Sequence, residues 1–173
     1  MNRCGVVVML IVVGILPACA PGERGTAELH GTKPGSKVSG TATLTPTPKG
    51  LRVAIRVANT PAGIHGLHIH DVGNCGDGGK AAGGHYNPDG VKHGFLPKDG
   101  VGGAHAGDLG NITVGLDGTG RMELTISGLT LHDGPHSVVG RAIILHEKPD
   151  DFGQPTGNAG GRIGCGVIVL EHH

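Results

Sequence analysis

The sequence predicts an all-β fold, an antiparallel sandwich or barrel of about eight strands with two long functional loops. Several segments alternate apolar and polar residues as half-buried strands do, and no segment keeps a capped apolar period of 3.6 residues. Aromatic residues are scarce, with one Tyr, two Phe and no Trp. The core must therefore be built from Val, Ile and Leu, which favour strands.

Composition restricts the class of protein. A chain of 173 residues without an internal repeat fits a single domain. Because 14 basic residues balance 14 acidic ones, no overall field favours nucleic acid, and we expect no nucleic-acid partner. Glycine is enriched, at 35 residues against a usual share of ~7%. Such enrichment is typical of disordered chains, but the alternating segments argue for a folded domain.

The chain opens with an export signal. Arg3 precedes an apolar run at 5–16 that is too short to cross a bilayer as a lone helix. The run leads to Leu16-Pro17-Ala18-Cys19, which resembles a bacterial lipoprotein processing site. Cys19 would then carry lipid; the alternative is an ordinary secretory signal in which Cys19 is incidental.

These features predict a signal peptide at residues 1–18, a tether at 19–25 and the folded domain at 26–173. Both interpretations of Cys19 place the mature protein outside the cytoplasm, in the periplasm or cell envelope. Contact with a membrane would come only through lipid on Cys19, and stable anchoring would need two or more acyl chains.

The strands are predicted in chain order from their alternation. The clearest segment puts apolar residues at 51, 53, 55 and 57 on one face, and Arg52 and Arg56 on the other. Asp117-Gly118 is a hairpin signal between two further segments, in which Leu116 is expected to face inward with its neighbours. The predicted strands are 41–45, 51–57, 112–116, 122–126, 138–146 and 166–170.

Two connections are long, at 72–107 and 147–162. Both are rich in Gly, Asp, His and Pro. Loops of more than about 12–15 residues without their own elements are usually functional or disordered. We therefore expect the chemistry on these loops, carried by a rigid β scaffold.

Two cysteines remain beyond the signal, Cys75 and Cys165. Outside the cytoplasm such a pair most simply forms a disulfide, which would tie the first long loop to the last strand. A reactive or metal-binding thiol pair is the alternative.

Histidines concentrate between residues 63 and 108. His68 and His70 are two apart in a predicted strand and so point to the same face, where they can grip one ion. His65 is expected to be a structural histidine that bonds to backbone, with ligation as the alternative. Nitrogen and oxygen donors that suit zinc or copper follow along the loop and later in the chain: His85, His93, His105, Asp108 and His146.

The order and spacing of five stretches closely resemble the copper,zinc superoxide dismutases: GIHGLHIHD, AGGHYNPDGVKHG, AHAGDLGN, GRAIILHEKPDD and GNAGGRIGCGVI. The resemblance covers residues 26–170. It implies a Greek-key β sandwich with copper and zinc as cofactors. It also implies an enzyme that converts superoxide to dioxygen and peroxide through alternating reduction and oxidation of the copper.

The resemblance also implies a role for each matching residue. Copper ligands would be His68, His70, His85 and His146. Zinc ligands would be His85, His93, His105 and Asp108, so His85 bridges both ions and would carry a proton to the product. Asp150 would bond one ligand of each metal, Thr156 would narrow the channel, Arg162 would hold the anion beside copper, and Cys75 and Cys165 would form the disulfide.

The second long loop looks shorter than in many relatives that carry steering charges there. We therefore expect Lys80, between Cys75 and His85, to help steer superoxide, with an ordinary solvated lysine as the alternative. A copper-delivery domain would lack part of the ligand set or the arginine, and an adhesive β module would not explain the histidine spacing. The sequence leaves open whether the protein is a monomer or a homodimer.

Overall fold

The computed structural model describes residues 22–171, so the predicted signal peptide and Cys19 lie outside the described residues. The first strand begins at Arg24, two residues before the predicted start of the domain. The described residues form nine strands in chain order: β1 (Arg24–Gly31), β2 (Ser39–Thr47), β3 (Gly50–Ala58), β4 (Gly63–His70), β5 (Asp108–Val114), β6 (Gly120–Ile126), β7 (Ala142–His146), β8 (Arg162–Val167) and β9 (Val169–Glu171).

The first eight strands form a closed antiparallel barrel. Their order around the barrel is β2-β3-β6-β5-β4-β7-β8-β1, and the pairing of β1 with β2 closes it. Strands β3, β6, β5 and β4 lie side by side in the Greek-key order. The ninth strand extends the set by pairing with the start of β1, while the end of β1 pairs with β8. The predicted all-β class is confirmed.

The barrel interior is aliphatic, as the composition predicts. The four alternating residues of β3 are all buried, and Arg52 and Arg56 are exposed. Leu116 is a correction, because its side chain is 100% exposed. Strand β5 ends at Val114, and the turn that follows is closed by a 3.0 Å bond from the Gly118 amide to the Gly115 carbonyl. The tight turn therefore interrupts the alternation before Leu116.

Two long connections lie over the outside of β4. Residues 71–107 contain a 3₁₀ segment (Asp77–Ala82) and one short helix, α1 (Leu96–Asp99). Residues 147–161 join β7 to β8. Backbone bonds fasten both loops to β4, from the Gly66 amide to the Lys148 carbonyl at 2.8 Å and from the Ile69 amide to the Gly107 carbonyl at 2.9 Å. The outer face of β4 is thus buried.

The disulfide between Cys75 and Cys165 is present, with 5.7 Å between the two Cα atoms. It fastens the start of the first long loop to β8, as the cysteine pair predicts. Among residues 22–171, no helix is long and apolar enough to cross a membrane.

Candidate metal centre

Two sets of side chains meet on the buried outer face of β4. In each set, the atoms that could bind a metal lie within 4.8 Å of one another. The first set is all imidazole, and the second adds one carboxylate. The first set is His68, His70, His85 and His146, and the second is His85, His93, His105 and Asp108. His85 belongs to both, so the structure brings together all of the metal-site residues that the sequence predicts.

Strand geometry orients the side chains of the first set. Leu67 and Ile69 of β4 belong to the barrel core, so His68 and His70 point outward under the loops. The pairing shifts register just before His68 on β4 and just before His146 on β7. Such bulges often occur beside active sites, where they redirect a side chain. An isolated bridge pairs His70 with His85 and brings the first loop alongside.

Hydrogen bonds orient the imidazoles of the first set. His70 Nδ1 donates to the Gly83 carbonyl at 3.0 Å, and His146 Nδ1 donates to the Gly160 carbonyl at 3.3 Å. Each ring then presents a bare Nε2, and these two atoms are 3.3 Å apart. Two lone pairs cannot hydrogen-bond to each other, so a shared cation between them resolves the contact.

The second set is organised by Asp108. Its Oδ1 lies 2.8 Å from His85 Nδ1 and 3.2 Å from His105 Nδ1, and its Oδ2 lies 2.9 Å from His93 Nδ1. The Oδ2 atom also accepts backbone bonds from Gly94 at 2.9 Å and His105 at 3.0 Å. Three nitrogens and one carboxylate oxygen, all converging, match the donors of a closed zinc site.

Asp150 joins the two sets from the second loop. Its Oδ2 accepts from His68 Nε2 at 2.8 Å and its Oδ1 from His93 Nε2 at 3.0 Å. Asn111 on β5 holds the Asp150 backbone through bonds of 2.7 and 2.8 Å. Because both Nε2 atoms donate to the carboxylate, each ring turns its Nδ1 toward a metal set. This is the outer partner that ligating histidines usually have.

Two buried nitrogens fit a metal. His68 Nδ1 and His93 Nδ1 are the only buried side-chain polar atoms in residues 22–171 without a hydrogen-bond partner. A buried polar atom without a partner is costly, and a metal bond at each would remove the cost. The donor chemistry agrees, since imidazole suits copper and zinc and a carboxylate suits zinc.

Lowered pKa values keep three imidazoles of the first set in the neutral form that binds a metal. Burial lowers the pKa of His70 to about 2, of His146 to about 3 and of His68 to about 4. These imidazoles are therefore neutral at physiological pH, the form that binds a metal.

In the second set, the pKa shifts of Asp108 and His93 favour positive charge at this site, whereas burial lowers the pKa of His105. Burial tends to raise the pKa of Asp108, but the hydrogen bond from His85 and the close approach of the His93 imidazole hold it well below the usual range. Burial lowers the pKa of His93, but the carboxylates of Asp108 and Asp150 outweigh it and raise the pKa to about 9. A divalent cation would supply the positive charge that the two carboxylates select.

Arg162 stands beside the first set at the start of β8. Its guanidinium donates to the Gly79 carbonyl at 2.5 Å and to the Gly83 carbonyl at 2.6 Å, and burial lowers its pKa. Gly83 also holds His70, so one carbonyl fixes the arginine and an imidazole together. A cavity of about 210 Å³ opens here, lined by His70, Gly84, His85, His146, Thr156, Asn158, Ala159, Gly160 and Arg162.

Of the three remaining predicted residues, one lines this cavity and two lie outside it. Thr156 lines it. Lys80 is exposed and lines a neighbouring groove that includes Arg162 and Lys33. His65 bonds to the carbonyls of His146 and Pro61, each at 2.9 Å, which is the predicted structural arrangement.

Sequence reasoning did not identify several residues that build the site. Asn111 lies in one of the matching stretches, but only the fold shows that it holds Asp150. Gln154 brackets His93 by bonding to its amide at 3.2 Å and its carbonyl at 2.8 Å. Gly83 acts through its backbone carbonyl, so no side chain in the sequence could indicate its role.

Comparison with known proteins gives consistent matches. The family model for copper/zinc superoxide dismutase (SODC) matches residues 38–168. A protein of Deinococcus radiodurans, "Superoxide dismutase [Cu-Zn]", is 41% identical over 179 residues, which cover 97% of this chain and 98% of the relative. The crystal structure of the clock protein EA4 matches with a TM-score of 0.75 at 34% identity, over 90% of this chain and 99% of that chain.

Replacing Asp150 tests the link between the two sets. We expect Asp150→Asn to lower the affinity for zinc by about 10–100-fold, because His93 loses the carboxylate that orients it. Competition with a coloured chelator measures this affinity. Asp151→Asn is the control, since Asp151 is exposed and bonds only within its own loop. Equal affinities in the two variants would contradict the role of Asp150.

Proposed function

The chain belongs to the copper/zinc superoxide dismutase family, and we propose from its geometry which side chains hold each metal and where the enzyme works. It is an oxidoreductase that uses copper and zinc to convert superoxide into dioxygen and hydrogen peroxide. The observation that carries the assignment of residues is one buried imidazole, His85, shared by two donor sets beside a cavity with a fixed guanidinium.

The first set would hold copper. Its four members, His68, His70, His85 and His146, are all imidazoles, and this donor tolerates both oxidation states of copper. Copper held by these residues would supply the reversible one-electron chemistry of the reaction. Burial keeps three of these imidazoles neutral, and backbone carbonyls hold two of them in place.

The second set would hold zinc. His85, His93, His105 and Asp108 supply four donors, which a structural zinc site requires. Zinc does not change oxidation state, so its role here would be to fix the first long loop. That loop carries three of the four donors, and the fourth, Asp108, opens β5.

Arg162 would bind the substrate. Superoxide is a small anion, and the guanidinium presents fixed N–H donors at the edge of the cavity. Its two bonds to backbone carbonyls prevent it from turning away. His85 points Nδ1 at Asp108, so Nε2 is the nitrogen left for the copper side. We infer that this nitrogen holds the proton that leaves with peroxide.

The shared ligand gives the direct test of the assignment. His85→Ala should reduce copper and zinc content together, because one side chain serves both donor sets. Metal analysis of the purified protein and a superoxide-consumption assay measure the result. His65→Ala is a suitable comparison, since His65 lies three residues before His68 but bonds only to backbone carbonyls. Full retention of zinc with loss of copper alone would argue against a bridging His85.

Arg162 should affect rate more than metal content. We expect Arg162→Gln to slow turnover by about tenfold or more, because a charge-assisted hydrogen bond to the anion contributes roughly 1.5–3 kcal/mol. Copper and zinc content should stay near that of the parent protein. Arg52→Gln, which removes an exposed arginine from the barrel wall, is the control. Unchanged turnover in Arg162→Gln would remove the arginine from the substrate path.

Lys80 would add to the attraction of superoxide. It is exposed beside a groove shared with Arg162, and it lies within the 3₁₀ segment whose Gly79 carbonyl accepts the arginine. Positive charge at this position would raise the local concentration of an anionic substrate.

Salt dependence tests the lysine. Turnover of Lys80→Ala should be lower at low ionic strength and should fall less steeply with added salt, because screening removes the same attraction. Lys49→Ala is the control, since Lys49 is exposed in the turn between β2 and β3, on no strand that carries a ligand. An unchanged rate and slope in Lys80→Ala would show that Lys80 is an ordinary solvated lysine.

We further propose that the enzyme works outside the cytoplasm as a lipoprotein and protects the cell envelope from superoxide. The sequence ahead of the domain and the disulfide both support an exported protein. Cys19 would be the lipidated residue, and the chain from there to Arg24 would be the tether.

Cell fractionation tests the anchor. Cys19→Ser should move the enzyme from the membrane fraction to the soluble fraction of the envelope, with the same turnover per copper. The parent protein should enter the detergent phase and the variant should not. An identical distribution of the two proteins would show that Cys19 carries no lipid.

A further inference from the structure

Two arginines stand side by side on the outer wall of the barrel, away from the metal centre. The register of β3 and β6 places Arg56 directly opposite Arg121, and both side chains are exposed. Like charges that face each other across neighbouring strands destabilise a sheet. Repulsion between the two guanidinium groups therefore lowers the stability of the fold at this position, and a bound anion would neutralise it.

The other arginine on these strands has a different arrangement. Arg52 binds Glu123 through two bonds of 2.8 Å, one from Nε and one from an amino group. Among residues 22–171, neither the Arg56 side chain nor the Arg121 side chain makes a hydrogen bond or an ion pair. The hydrogen bond from Arg52, and then the nearby charges of Arg52 and Arg56, lower the pKa of Glu123. Both oxygens of Glu123 are engaged by Arg52, so the pair keeps an excess of positive charge.

A cavity of about 420 Å³ lies against the two arginines and is lined by Arg56, Val57, Thr113, Thr119, Gly120 and Arg121. The Thr113 hydroxyl has no hydrogen-bond partner among the described residues. The Thr119 hydroxyl donates to Asp117 Oδ2 at 2.9 Å, and Asp117 Oδ1 accepts the Thr119 amide at 3.0 Å. The Asp117 carboxylate in the adjoining turn is thus already bonded, and the residues that line the cavity include two arginines and a threonine with a free hydroxyl.

We propose that Arg56 and Arg121 form an oxyanion site for phosphate groups on the outer wall of the barrel. Planar guanidinium groups bind phosphate through paired N–H donors, and two of them on adjacent strands can hold one phosphate from two sides. No residue lining this cavity lines the cavity at the metal centre. The site is therefore separate from the site of superoxide turnover. The phosphate belongs either to a free anion or to a lipid headgroup.

Nuclear magnetic resonance resolves where phosphate binds. The copper(I), zinc-loaded enzyme, which is diamagnetic, is titrated with inorganic phosphate and with pyrophosphate. Amide signals of Thr113, Thr119 and Gly120 should move with saturation. Arg56→Gln and Arg121→Gln should each weaken this binding by about tenfold, while Lys49→Gln, which removes one positive charge elsewhere, should not.

Thermal unfolding provides a second measurement on the same proteins. Without phosphate, Arg121→Gln should unfold at the same temperature as the parent protein or higher, because the like-charge contact is gone. With phosphate, the parent protein should gain more stability than the variant, since the ligand binds the folded state. A variant that is less stable without phosphate and gains as much with it would overturn the proposal.

Vesicles separate the two sources of phosphate. The Cys19→Ser protein is sedimented with vesicles of phosphatidylglycerol or of phosphatidylcholine, so that lipid on Cys19 makes no contribution. Binding to phosphatidylglycerol alone that is lost in the Arg56→Gln, Arg121→Gln double variant identifies a lipid headgroup. Binding only to free phosphate or pyrophosphate identifies a soluble anion. Binding to neither, or signal changes confined to the region of Arg162, would overturn the site.

Discussion

The carboxylate of Asp150 is the contact on which the rest of the structure depends. It belongs to the second long loop, yet it bonds His68 on β4 and His93 in the first loop, and its backbone is held by Asn111 on β5. A buried carboxylate without partners would cost several kcal/mol, and these bonds avoid that cost. Asp150 therefore fixes the two metal sets relative to each other.

The barrel and the loops divide the work. The barrel provides a rigid aliphatic frame, and its strands carry four of the donors: His68 and His70 on β4, Asp108 on β5 and His146 on β7. The first long loop brings the other three, His85, His93 and His105. The disulfide fastens the loop segment whose carbonyls hold Arg162. The position of Arg162, the proposed substrate-binding group, thus depends on the backbone geometry of this loop segment.

The sequence predicted the parts of this molecule that depend on local pattern. Alternation located β3 to within a residue at each end, and the two long connections match those observed. Histidine spacing, together with the family resemblance, named every residue that converges on the two sets. Leu116 was placed wrongly because alternation gives no warning of where a strand stops and a tight turn begins.

Other features depend on register, which no local pattern contains. That Asn111 reaches Asp150, or that Gly83 serves both Arg162 and His70, follows only once β4, β5 and the loops are paired. The opposition of Arg56 and Arg121 has the same origin. Each arginine alone looks like an ordinary exposed residue, and a shift of one position between β3 and β6 would separate them.

The two ends of strand β1 lie at opposite ends of the molecule. It leaves its pairing with β9 at Arg24 and reaches the vicinity of Arg162 at its other end, a run of eight residues, or roughly 25 Å at the usual rise of a strand. A lipid on Cys19, as proposed, would hold the enzyme by the end of β1 that lies away from Arg162. The cavity would then face away from the supporting surface, and superoxide from open solution would reach it directly.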